Sequence, residues 1–254
     1  MIANEQDKEK LRESGRRLAT VLQTLAKAVR PGMTVRELND MAEEMIREHG
    51  DTPAFLDYKP HGVSRPFPAT LCVAVNDTVV HGIPTERNTV LQDGDIVGLD
   101  TGLIHDGYAS DSGITVPVGN IDKETQELLR VTREALYVGI DAARVGNTTG
   151  DIGHAIQEFV RPYGYGIVRE LCGHGIGKSV HEGPQVPNYG KAGEGEELKE
   201  GLVIAIEPML NMGGADVIFE DDDYTVRTAD GSRSAHFEHC IIITKDGPEI
   251  LTEV

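Results

Sequence analysis

The chain repeats itself once, and that repeat limits the folds open to it more than any other feature. At one constant offset, Gly32, Thr34, Glu37, Leu38, Glu44, Met45, Ile46 and Gly50 correspond to Gly146, Thr148, Asp151, Ile152, Glu158, Phe159, Val160 and Gly164. Val80-His81-Gly82-Ile83-Pro84 is echoed by Val180-His181-Glu182-Gly183-Pro184, and Gly94-Asp-Ile-Val-Gly-Leu-Asp100 by Gly201-Leu-Val-Ile-Ala-Ile-Glu207. Each half therefore runs helix, helix, histidine loop, then a strand ending in a carboxylate. A solenoid needs several short repeats, whereas a single long one points to a duplicated unit closing around a pseudo-twofold axis. No Pro/Gly/Ser-rich linker divides the halves, at about 30–120 and 144–254. The sequence predicts one domain over 1–254, with a helix ahead of the repeated halves.

Apolar spacing places the elements. Leu11, Leu18, Val21, Leu22, Leu25 and Val29 stripe a helix from about Glu5 to Val29. Thr34 with Glu37 three residues later is a capping box, opening a second helix that runs to Gly50. A strand-rich stretch covers about 69–118, and Asp122 caps a third helix reaching about Ala143. The fold class is α+β.

Composition excludes several functions. Apolar residues make up 39% and charged residues 26% of 254, the balance of a soluble globular chain, and no apolar run is long enough to span a bilayer. The polar start, MIANEQDKEK, has no signal-peptide core. Cys72, Cys172 and Cys240 lie far apart, with no CxxC pair. They suit free thiols in a reducing cytoplasm, Cys172 and Cys240 as small apolar fillers. A net charge of −18 argues against docking on a nucleic-acid backbone. Some of that charge sits in two acidic runs, Glu194-Gly-Glu-Glu and Glu220-Asp-Asp-Asp, which read as solvated loops.

The remaining acids are placed less innocently. Asp106-Gly107 is a two-residue hairpin signal that sets His105 opposite Tyr108 and Gly102 opposite Asp111. Because side chains alternate, Asp100 shares a face with Gly102 and hence with Asp111. The two acids become diagonal neighbours with Cα atoms roughly 7–8 Å apart, the glycine leaving the floor open. Glu207, at the end of an apolar strand and before Pro208, and Glu238 in His236-Phe-Glu-His-Cys-Ile-Ile-Ile243 form the matching pair. Any one of these acids alone reads as a strand end reaching solvent. Four at equivalent places in two halves repel one another unless positive charge joins them, and these strands carry no Lys or Arg. Divalent metal is the remaining source of charge.

Leu171-Cys-Gly-His174-Gly-Ile-Gly-Lys-Ser-Val-His181 contains GxGxG, but neither Walker spacing nor a following helix pattern supports a phosphate loop. An imidazole joining four carboxylates suits Mn, Fe, Co or Zn better than Ca or Mg. His49, His61, His105, His154, His236 and His239 read as surface or packing residues.

Together, the order Asp, Asp eleven residues on, His, Glu, Glu and the strings NDTVVHGIP, CGHGIGKSVHEGP, IEPM and FEHCIIIT resemble the methionine aminopeptidases of the pita-bread metallopeptidase superfamily, over nearly the whole chain. The resemblance implies a curved antiparallel sheet backed by helices, with internal pseudo-twofold symmetry. It implies removal of the initiator methionine from nascent polypeptides whose second residue is small. By the same match Asp100, Asp111 and Glu238 hold one ion, and Asp111, His174, Glu207 and Glu238 a second. A hydroxide between the ions attacks the scissile carbonyl. Glu207 shuttles the proton, His181 polarises the carbonyl oxygen, and His81 contacts the scissile amide or its P1′ side. Phe67, Cys72 and Tyr224 match pocket-lining positions. His174 has no counterpart in the first half, an asymmetry that predicts two sites of unequal affinity.

Departures concern the pocket. Many bacterial members carry an aromatic residue where this chain has Val180, and often Trp where it has Tyr224, and the segment from Tyr58 to Pro68 is longer than usual. The short spacings between His181, Glu207 and Glu238 leave no room for the insertion of the type II enzymes. With about 30 residues before Pro31 and no zinc finger, the short bacterial type I form fits. Such an enzyme is expected to work as a cytoplasmic monomer near the ribosome, without membrane or nucleic-acid contact. Two alternatives stand beside it: a Xaa-Pro-type aminopeptidase of the same superfamily, and a non-catalytic peptide-binding protein on the same fold.

Overall fold

A computed structural model describes residues 1–60 and 62–253; His61, one of the histidines assigned no chemistry, lies outside them. Helix α1 spans Glu5–Ala28 and opens on Asn4, whose side chain accepts from the Gln6 and Asp7 amides. Helix α2 spans Val35–Glu48 behind the Thr34/Glu37 capping box. Asp122 caps α3, Lys123–Ala142. Helix α4, Thr149–Val160, starts with a second capping box, Thr148/Asp151, at the repeat-equivalent position. Each box satisfies two backbone donors that a helix start otherwise strands.

The main sheet has nine strands among the described residues. Its path runs Thr52–Pro53, Ile96–His105, Tyr108–Pro117, Glu238–Thr244, Val203–Ile206, Gly173–Gly175, Glu182–Val186, and every pairing along it is antiparallel. Leu71–Val75 pairs with Ile96–His105 off this path. The Asp106-Gly107 turn sets the expected register, with His105 opposite Tyr108 and Gly102 opposite Asp111. The strand Tyr108–Pro117 lies beside Glu238–Thr244, which joins a strand of the first repeat to one of the second.

The helices cover one face in two equivalent layers. Helices α1 and α2 bury Leu18, Leu22, Leu38 and Ile46 with Val97, Leu99 and Leu103 of the sheet. Helices α3 and α4 bury Leu128, Leu136, Ile152 and Ile156 with Ile204, Ile206, Ile241 and Ile243. Each such side chain taken from water contributes roughly 1.5–3 kcal/mol. Alternation along the strands then fixes the opposite face. Leu99 and Ile206 point to the helices, so Asp100 and Glu207 point away.

Candidate metal centre

Register alone gathers the acids. Cys72 pairs with Asp100, Asp100 with Gly113, and Gly113 with Glu238, in one row across four strands. His239 pairs with Ile206, which brings Glu207 alongside Glu238 as the fifth member. Asp111 stands two residues from Gly113 on the same face. His174 reaches this cluster from the Gly173–Gly175 strand, its Nε2 lying 3.6 Å from Glu207 Oε1 and 3.9 Å from Asp111 Oδ2. Its Nδ1 donates to the Gly175 carbonyl at 3.0 Å, so Nε2 carries the free lone pair. All five residues named as ligands from the sequence therefore meet in one place.

The surroundings match a cation. Asp100, Asp111 and Glu238 are buried, and Asp100 Oδ1, Asp111 Oδ1 and Glu238 Oε1 have no hydrogen-bond partner among the described residues. Burial, then the charges of Asp111 and Glu207, pushes Asp100 well above the usual carboxylate range. Burial and the charge of Asp111 do the same to Glu207, and burial raises Asp111 to about 7. Glu238 is raised by burial and by all three neighbours. Orphaned buried oxygens are costly unless something pairs with them. The set of four oxygen donors and an imidazole suits a borderline divalent ion. Asp111, His174 and Glu238 present donor atoms within 4.8 Å of one another, as do Asp100, His236 and Glu238.

His236, read from the sequence as a surface or packing residue, packs against the acid cluster. It is buried, its Nε2 has no hydrogen-bond partner among the described residues, and that nitrogen lies 3.8 Å from Glu238 Oε2 and 3.9 Å from Glu207 Oε2. Burial lowers its pKa to about 3, so the ring is neutral. A signal was present: His236 stands two residues before Glu238, the spacing that returns a side chain to the same face. The open floor also lies elsewhere than expected. A Cβ at Gly102 would meet Ala54 Cβ at 3.0 Å and Phe55 Cε1 at 3.1 Å, so that space is filled by a pocket wall. The gap within the acid row is at Gly113.

The cluster opens into a cavity of about 240 Å³ walled by Phe55, Tyr58, Val63, Phe67, Cys72 and Tyr224. Phe67 and Tyr224 pack edge to face with ring centroids 5.0 Å apart. Of these six, Phe55, Tyr58 and Val63 carried no individual signal in the sequence. His81 and His181 line the same cavity. His81 holds a left-handed backbone, φ 58°, which a non-glycine residue adopts at a cost of about 1–3 kcal/mol. Burial lowers its pKa to about 4, and burial lowers that of His181 as well. His181 stacks edge-on against His174 at 4.4 Å, and its Nδ1 shares a 2.9 Å hydrogen bond with the Tyr58 hydroxyl. The Glu220–Asp223 run is a loop, as expected, with Asp221 and Asp223 exposed, but it is also tied down. Asp222 accepts from the Thr225 amide and pairs with Arg87, and Asp223 accepts from the Ser64 amide, tying the long segment after Tyr58 to the cavity mouth. A larger cleft, about 520 Å³, lies between α1 and α3 and contains none of the clustered acids.

A curved antiparallel sheet backed by helices, with carboxylates and a histidine converging on its open face, defines a metallohydrolase class of site. The chain belongs to metallopeptidase family M24, whose model matches residues 9–245. It is 46% identical over 252 residues to a methionine aminopeptidase of Clostridium perfringens, covering 99% of this chain and 98% of that one. The crystal structure of methionine aminopeptidase from Rickettsia prowazekii superposes with a TM-score of 0.95 at 40% identity, covering 99% of both chains. Prolidase from Pyrococcus furiosus shares the fold, with a TM-score of 0.79 at 22% identity over 100% of this chain and 65% of that one. No helix of the described residues is long and apolar enough to cross a membrane.

Proposed function

We propose that this protein removes N-terminal methionine from nascent polypeptides whose second residue is small, using two divalent ions drawn from Co, Mn, Fe or Zn. The observation that carries this reading is the single row of Cys72, Asp100, Gly113, Glu238 and Glu207, which makes one surface serve as acid cluster and as pocket floor. Asp100, Asp111 and Glu238 would hold one ion, and Asp111, His174, Glu207 and Glu238 the other. When bound, the ions supply an acidified water and positive charge for the developing oxyanion.

The chain's own groups do the rest. The aromatic and sulfur-bearing wall of Phe67, Cys72 and Tyr224 offers a thioether side chain apolar and polarisable contacts. His181, neutral because burial lowers its pKa, donates to the scissile carbonyl oxygen through Nε2–H in the tautomer whose Nδ1 accepts from the Tyr58 hydroxyl. His81 approaches the scissile amide. Glu207, ionised once it holds metal, takes a proton from the attacking water and passes it to the leaving amine. The substrates are nascent chains at the ribosome, and the protein acts as a cytoplasmic monomer formed by a single domain.

The test is release of methionine from Met-Gly-Met-Met by protein stripped with chelator and reloaded under anaerobic conditions. Metal-dependent release, lost when the second residue is large, is expected. Folded protein that releases nothing with Mn, Fe, Co or Zn would overturn the reading.

A further inference from the structure

His236 does not belong to the main sheet. It ends the Ser234–His236 strand, paired with Met209 in a separate three-stranded sheet. The chain leaves the main sheet after Glu207 and rejoins it at Glu238, so Met209 and His236 lie together just beyond the two glutamates. The Thr115 hydroxyl pins the His236 backbone from both sides, accepting from its amide at 3.0 Å and donating to its carbonyl at 2.8 Å. From there the ring fills the space that Gly113 leaves by having no side chain; a Cβ at that position would stand 2.7 Å from His236 Cε1.

Its Nε2 is aimed into the acid cluster and has no hydrogen-bond partner among the described residues. At 3.8 Å and 3.9 Å from the nearest oxygens of Glu238 and Glu207, it is too far for a hydrogen bond to either. Those separations fit two donors on one ion, which at bond lengths of about 2.1 Å stand at most about 4.2 Å apart. Asp100, His236 and Glu238 present donor atoms within 4.8 Å of one another, just as Asp111, His174 and Glu238 do.

Resting on the metallopeptidase reading above, we propose that His236 Nε2 is a metal ligand, completing the site of Asp100 and Glu238 as His174 completes that of Asp111 and Glu207. Each ion then receives one imidazole, and the asymmetry expected from His174 alone disappears. A nitrogen donor there also moves the preference of the Asp100 site away from Mg and Mn and toward Fe, Co and Zn.

The experiment is X-ray absorption on the zinc-loaded protein at two ions per chain, alongside zinc affinity by chelator competition, for wild type and His236→Gln. Expected are two imidazoles per pair of ions in the wild type and one in the variant, with the affinity of one site falling at least about tenfold. Glutamine keeps the polarity and bulk of the position but gives no imidazole scattering. NMR of wild-type protein with isotope-labelled histidine makes the result independent of the variant's folding: two imidazole nitrogens, not one, should take the shift of a zinc-bound nitrogen, beyond the smaller shifts of the nearby His81 and His181 rings. One imidazole per pair of ions in the wild type overturns the inference and leaves the metallopeptidase reading standing. No tight zinc binding by the folded wild type overturns both.

Discussion

Gly113 and His236 fit together as a gap and its filling: a Cβ on Gly113 would stand 2.7 Å from His236 Cε1 and 3.0 Å from Nδ1. Gly113 sits at the centre of the acid row, between Asp100 and Glu238, so the missing side chain decides what occupies the middle of the site. Gly113→Ala is expected to destabilise the protein by about 1–3 kcal/mol through overpacking and to displace the His236 ring. Denaturant unfolding of Gly113→Ala, His236→Ala and the double variant checks this. The double variant should be more stable than the sum of the two single losses predicts. Simple additivity would show that the two residues do not share this space.

The acid cluster trades stability for binding, and Asp111 shows the sign. Burial holds it up to about 7 against an ordinary 3.8. A carboxyl raised in this way favours folding in full below 3.8, and the contribution is lost as pH rises through about 7. Metal-free Asp111→Asn should therefore gain stability relative to wild type as pH climbs through that window, with no such gain below it. The same variant, loaded, should show no turnover and reduced metal content. Thermal melts of stripped proteins across the window, with metal analysis, decide the matter. A stability difference that does not change with pH would contradict the assignment.

Metal binding should release protons. Asp100, Glu207 and Glu238 are all held above the carboxylate range in the metal-free protein, by burial first. Ligands must lose their protons to bind a cation. Zinc titration by calorimetry in buffers of different ionisation enthalpy should give heats that vary with the buffer. Heats that do not depend on the buffer would mean the acids are already ionised.

Tyr58 is expected to act on catalysis through His181, not on stability. Tyr58→Phe removes the hydroxyl at 2.9 Å from Nδ1 and leaves the aromatic wall in place. Misorienting the imidazole should lower kcat on the order of tenfold to a hundredfold, with KM and melting temperature little changed. A raised KM with normal kcat would make Tyr58 a pocket residue only.

The sequence was most informative where local rules act alone. The Asp106-Gly107 turn set ten paired positions from Ile96 to His105 against Pro117 to Tyr108, and that register carried Asp111 to the face of Asp100. Capping boxes at Thr34 and Thr148 marked the starts of two helices, and the apolar stripes marked which sides they bury. The repeat foretold that Glu207 and Glu238 would join the first pair. What escaped was whatever depends on two elements distant in sequence arriving at one point. The Gly102 gap is filled by Phe55 from another segment, and the Gly113 gap by a histidine from a different sheet. Neither glycine announces which side chain will enter its space. The Glu220–Asp223 loop likewise gave no sign of its partners Ser64 and Arg87, which are far away along the chain.

The seam where Tyr108–Pro117 runs beside Glu238–Thr244 has a consequence for the ancestry of such a chain. Asp100 and Asp111 come from one side of that seam, and His174, Glu207 and Glu238 from the other. A half-length forerunner would have owned half a site, and could have assembled a whole one only by pairing with its twin. The same logic holds at the bench. Cut in the turn that follows Pro117, the two fragments should each be inert and should recover metal binding only when mixed.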